Sequence, residues 1–220
     1  MIVIVALVGI GAVALAYVLL RASGRSRRLA EIYKVGEGLG LSFSPAEEPH
    51  ELDLPFSLFQ LGAKRRVTAE LRGEHAGEPL RLFDYQYASP GGRYGSAFRF
   101  TCALSTLPVA SPPFALRPVG PVERVTHRRH RDEVATDSDA FNRRYRVRCD
   151  DVHFASSLLD AGMIDWLLRA PKFFALELCE SRVLVVRRAA KPSGWPDLAA
   201  TLEQFRAHVP ESVWSAYPPG

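Results

Sequence analysis

Apolar residues fill the first twenty positions, Met1 to Leu20, broken only by Gly9 and Gly11. As a helix this run is about 30 Å long, the thickness of a bilayer core. A lone strand of that length would leave its backbone unpaired in lipid. The pattern therefore predicts a transmembrane helix over residues 1–20. Downstream, Leu29, Ile32, Tyr33 and Leu39 recur at helical spacing, and Gly36, Gly38 and Gly40 weaken and stop that helix. Leu54-Pro55-Phe56 and Leu58-Phe59 are bulky and apolar but have no period. Residues 67–72 and 80–87 flank GEHAGEP, which predicts a hairpin. Phe98, Phe100, Cys102 and Leu104 alternate with Arg99, Thr101, Ala103 and Ser105. This predicts a strand with one buried face, ended by Pro108, with a further short strand over 114–117.

Residues 119–140 are polar and read as a loop. Tyr145, Val147 and Cys149 then alternate with Arg144, Arg146 and Arg148, a second one-faced strand. Asp150 or Asp151 can cap a helix carrying Val152, Ala155, Leu158 and Leu159. Another follows Asp160, with Met163, Ile164 and Leu167 inward. Phe174, Leu176 and Leu178 form a strand, and 183–186 is expected to return as its partner after a tight connection at Glu180-Ser181. Pro196 opens a last helix with the stripe Leu198, Leu202, Phe205 and Val209, and Pro210 ends it. Short connections imply antiparallel pairing. The fold class is α+β: an N-terminal transmembrane helix, then a mostly antiparallel sheet of six or seven strands with helices packed on one face. The chain divides into a span (1–20), a basic juxtamembrane segment (21–28), an α+β domain (29–210) and a tail (211–220).

Charge sets the orientation. The chain has 28 Lys+Arg, 24 Asp+Glu and a formal net charge of +4. Arg21, Arg25, Arg27 and Arg28 follow the apolar run with no acid among them, and they account for the whole excess. The positive-inside rule then puts the N-terminus outside and residues 21–220 in the cytoplasm, at the inner face of the cell membrane. A cleaved signal peptide would carry its charge before the apolar run, not after it. Three cysteines are too few for a disulfide scaffold, and a cytoplasmic domain keeps Cys102, Cys149 and Cys179 as free thiols. Ala12 and Ala16 form one small-xxx-small pair, which allows weak homo-oligomerisation through the span.

Candidate chemistry is sparse. His127 and His130 stand at i, i+3, but Arg128, Arg129 and Arg131 surround them and repel a divalent metal. The Gly-rich stretch 89–95 precedes a strand rather than a helix, so it is read as a turn and not as a phosphate loop. Cys102 belongs to an apolar strand face. Asp84, among the aromatics of FDYQY, is assigned a strand-end hydrogen-bonding role, with a raised-pKa acid as the other reading. Arg144, Arg146 and Arg148, expected to point the same way from a strand, form a possible contact surface for anionic lipid. Near neutrality after residue 28 argues against nucleic acid as a partner.

The stretches LFDYQY, FRFTCAL and FNRRYRVRCDDVHFASSLLDAGMIDWLL resemble a family of uncharacterised bacterial proteins with an N-terminal membrane helix and a domain of unknown function. The resemblance covers about residues 25–210. It implies the anchored α+β architecture and brings no activity, cofactor or catalytic residue. The expected function is a membrane-anchored cytoplasmic interaction module, without enzymatic activity or cofactor, that contacts membrane lipid through its N-terminal helix and a protein partner through its domain. The alternative is a ligand-binding or hydrolase-like domain whose site is assembled from residues distant in sequence.

Overall fold

The computed structural model describes residues 23–44, 54–89, 97–120, 133–170 and 174–219. Helix α1 covers 23–39. It is followed by β1 (Ser42–Ser44), a 3-10 turn (Ser57–Gln60), β2 (Ala63–His75), β3 (Glu78–Ala88) and β4 (Ala97–Pro118). Then come β5 (Glu133–Val134), α2 (Asp139–Arg144), β6 (Tyr145–Cys149), α3 (Val152–Leu158), α4 (Ala161–Arg169) and β7 (Phe174–Arg188). Helices α5 (Trp195–His208) and α6 (Glu211–Ala216) complete the described fold. Seven strands make one antiparallel sheet in the order β1-β2-β3-β4-β6-β5, with β7 along the other edge of β4. The α+β expectation holds. Among the described residues no helix is long and apolar enough to cross a membrane. The apolar run 1–20 lies outside them.

β4 organises the sheet. Its first half pairs with β3 from Leu80↔Ser105 to Ala88↔Ala97, and its last residues pair with β6 from Phe114↔Cys149 to Pro118↔Tyr145. β7 runs beside both halves, from Phe100↔Arg188 to Leu116↔Leu176. Two expectations are corrected here. Pro108 does not end the strand, and 174–178 and 183–186 do not form a hairpin. Both regions are single long strands that bend together, where the β4–β7 register shifts around Thr106, Ser111 and Phe114 and Glu180 takes a φ of 53°.

Helices cover one sheet face. Ile32 of α1, Phe154 of α3, Met163 and Leu167 of α4, and Leu198, Leu202 and Phe205 of α5 share a core with Leu71, Leu82, Leu116 and Leu176. Asp151 and Asp160 cap α3 and α4 by accepting from Phe154 N (2.9 Å) and Met163 N (2.7 Å). Val152, expected inward, is exposed, and Phe154 takes its place in the core. The opposite face is plugged by Phe56, Leu58 and Phe59, which pack on Phe83, Tyr85, Cys102, Leu104 and Leu184. β4 is thus buried on both faces at its centre. Thr101, expected to face away, is fully buried, while Phe100 is only half-buried. The expected tail also departs from the reading: α6 buries Val213, and Tyr217 O accepts from Ala110 N at the bend of β4 (3.0 Å).

Candidate functional site

The site is built where α1 crosses the sheet. The end of α1 closes with Leu41 N donating to Gly36 O (2.8 Å) and Gly40 N donating to Glu37 O (3.3 Å), with Gly40 at a φ of 70°. These are the paired bonds of a Schellman motif. Gly36 also permits close approach: a Cβ there would sit 2.7 Å from a Leu71 methyl and 3.0 Å from Leu41 O. α1 is therefore seated at its C-terminal end by a backbone contact that a side chain would obstruct.

The N-terminal end of α1 is held by charge. Arg28 donates from Nε to Asp84 Oδ2 (2.8 Å), and from Nη2 to Asp84 Oδ1 (3.0 Å) and Ala190 O (2.8 Å). Asp84 also accepts from Thr101 Oγ1 (2.9 Å), which in turn accepts from Ala190 N (3.1 Å). The loop after β7 is thereby joined to α1, β3 and β4. Burial pushes the Asp84 carboxyl up, and the Arg28 guanidinium, the Thr101 hydroxyl and Arg99 pull it partly back. Asp84 stands at mid-strand, not at a strand end as expected, opposite Thr101.

Beyond this ion pair lies a cleft of about 910 Å³ between α1 and the sheet, lined by Gly24, Arg25, Leu29, Arg66, Gln86 and Arg99 among others. The registers Arg66↔Gln86 and Gln86↔Arg99 set these three side chains in one row across β2, β3 and β4. With its amide oxygen toward β2, Gln86 accepts from the Arg66 guanidinium. A smaller cavity of about 250 Å³ lies on the other face. There Glu177 accepts from Ser57 N (2.7 Å) and Ser57 Oγ (2.6 Å) and meets Arg117 (3.2 Å), so its charges are already matched.

No family model matches the chain, and no curated protein matches it. Its fold is similar to that of a solved protein. The crystal structure of the mycobacterial trehalose monomycolate transport factor A, TtfA, superposes with a TM-score of 0.62 at 14% identity, over 90% of this chain and 98% of that one. At that identity the likeness is one of fold alone.

The basic residues singled out in the sequence are dispersed by the fold. Of the juxtamembrane cluster, Arg21 lies outside the described residues, and Arg25 lines the cleft. Arg27 pairs with Glu31 (3.2 Å), and Arg28 is the residue that locks α1 to Asp84. Arg144, Arg146 and Arg148 do not project together. Arg144 is the last residue of α2 rather than part of β6, and it donates to Leu168 O and to Ala170 O (2.8 Å) at the end of α4. Arg146 donates to Asn142 O and meets Glu133 (3.4 Å), and only Arg148 is exposed. Cys102, Cys149 and Cys179 are buried free thiols, and burial raises the pKa of each. Among the described residues no His, Cys, Asp and Glu cluster could hold a metal. His127 and His130 lie outside them, as do residues 90–95 of the Gly-rich stretch. The strands on either side of that stretch pair at Ala88↔Ala97, as a hairpin requires.

The lock between Arg28 and Asp84 was invisible in the sequence because its members stand 56 residues apart. The one available signal was a lone carboxylate in an aromatic strand, a position that calls for a cation from elsewhere.

Proposed function

We propose that this chain is a membrane-anchored, non-enzymatic accessory module, belonging to the bacterial family that its motifs resemble. The observation that carries the reading is the Arg28–Asp84 lock. It fixes to the sheet a helix that begins within a few residues of the apolar run 1–20. If that run spans the bilayer, only a few residues separate it from a helix held to the sheet, so the domain is kept close to the membrane. The four arginines after the run favour the cytoplasmic side. Similarity of fold to a transport factor supports an accessory role.

A reporter fused after Gly220, active only in the cytoplasm, tests the topology. The expected result is activity, with the chain retained in membranes after an alkaline carbonate wash. Activity only from a periplasmic reporter, or release of the chain by the wash, overturns the reading.

A further inference from the structure

We propose that the cleft between α1 and the β2–β4 face is a binding site for a phosphate group of net negative charge, that of an anionic lipid headgroup or of free phosphate, held by the guanidinium groups of Arg25, Arg66 and Arg99. The anion site rests on the cleft, and the access of a lipid headgroup to it rests on the anchored reading above. The carboxylate in it, Asp84, is already engaged in a two-pronged bond with Arg28. Among the described residues none of Arg25, Arg66 and Arg99 makes an ion pair with a carboxylate, and Arg99 acts on Asp84 only through space, helping to hold its carboxyl down. The cleft thus has three cationic groups beyond its one matched pair. Such an excess disfavours a cation or metal and favours an anion, and the planar fork of arginine matches phosphate oxygens.

The placement is built by the fold. Arg66 and Arg99 flank Gln86 in one cross-strand row, which forms the floor. Arg25 stands three residues before Arg28 and so shares its face of α1, which forms the roof. At Gly24 an added Cβ would meet nothing within 4 Å, so the mouth beside Arg25 is open. Leu29 and Ala69 add apolar wall, suited to the carbon skeleton next to a phosphate. The volume falls in the range of small-molecule sites. Gly24 lies four positions beyond the apolar run, so if that run spans the bilayer the mouth of the cleft is close in sequence to the headgroup level. The same chemistry would also accept a free phosphate.

The test uses the full chain in neutral maltoside micelles at low salt, titrated calorimetrically with inorganic phosphate, with dihexanoyl phosphatidylglycerol and with dihexanoyl phosphatidylcholine. Saturable binding of phosphatidylglycerol alone identifies a lipid headgroup, and equal binding of phosphate identifies a free anion. Either result supports the site. Arg66→Gln together with Arg99→Gln should weaken that binding by about tenfold or more. Because both side chains are exposed, the melting temperature should hold. Arg169→Gln, on an exposed arginine paired with Asp165 on α4, should leave binding unchanged. The proposal is overturned if neither anion binds, if phosphatidylcholine binds as tightly, if the double variant binds like the parent, or if Arg169→Gln weakens binding equally.

Discussion

Asp84 is a carboxylate in a position that disfavours its own charge, and Arg28 is the group that offsets this. Removing the cation by Arg28→Gln should move the Asp84 titration further upward, because the guanidinium does most to hold the carboxyl down against burial. Carbon-13 NMR of the side-chain carboxyl reads this directly, and an unmoved titration would mean the pair is not made in solution. A raised native pKa also fixes the sign of the linkage. The stability that Asp84 contributes is complete below its ordinary value of 3.8 and is lost as pH rises through the native value. Asp84→Asn should flatten that part of the stability profile, measured by urea unfolding across the acidic range. Burial also separates two aromatic side chains of the opposite face. Phe59 is fully buried against Phe83 and Tyr85, so Phe59→Ala should cost about 3–5 kcal/mol. Phe100 is only half-buried beside Tyr87, so its truncation should cost less in the same urea titration.

At the scale of elements, the turn between β2 and β3 is two residues long, Ala76-Gly77, with both at positive φ (54° and 80°). This suits a type I′ hairpin, but alanine is strained there. Ala76→Asn should raise stability by about 0.5–1 kcal/mol, read as a higher urea midpoint at unchanged slope. The hairpin itself was legible, because Gly77 and the flanking alternation mark it. So were the caps of α3 and α4, the stripe of α5 and the alternation of β6. What was not legible is where long strands continue. Pro108 reads as a stop because proline cannot donate to a ladder. β3 pairing ends at Ser105 and β6 pairing begins at Phe114, so along that edge no ladder N–H is needed between them. On the other edge the β7 register is broken over the same stretch. Likewise Glu180-Ser181 has the composition of a turn, and only the partner strand reveals that β7 runs on through it, the extra residues lying in β4 between Thr106 and Phe114. Periodicity reports which face a residue takes; it does not report the neighbouring strand.

For the whole molecule, the charge count had already indicated that the acids and bases of the domain balance, and the structure shows where some of them meet. Spacing groups Arg144, Arg146 and Arg148, yet Arg144 and Arg146 help hold α2, β6 and the end of α4 together. Replacing all three by Gln should lower the melting temperature, with Arg144 alone worth about 1–2 kcal/mol through its carbonyl bonds at a helix C-terminus. A triple variant as stable as the parent would show these bonds to be dispensable. The candidate site is half legible in the sequence: Asp84 is conspicuous among aromatics and Arg25 and Arg28 belong to a basic cluster, but the cleft exists only because cross-strand register puts Arg66 and Arg99 beside them.

The length of β4, and its shared border with β7, carries a consequence for how the protein is made. The strand that completes the sheet edge leaves the ribosome 70 residues after β4 ends, counted from Pro118 to Arg188. At ordinary rates of synthesis that delay is about 4–14 s. Throughout it, β4 presents an unpaired edge to every other nascent chain. Fragments cut before β7 should accordingly be captured by chaperones or degraded rather than accumulate as a folded half, because neither part of the sheet closes without its last strand.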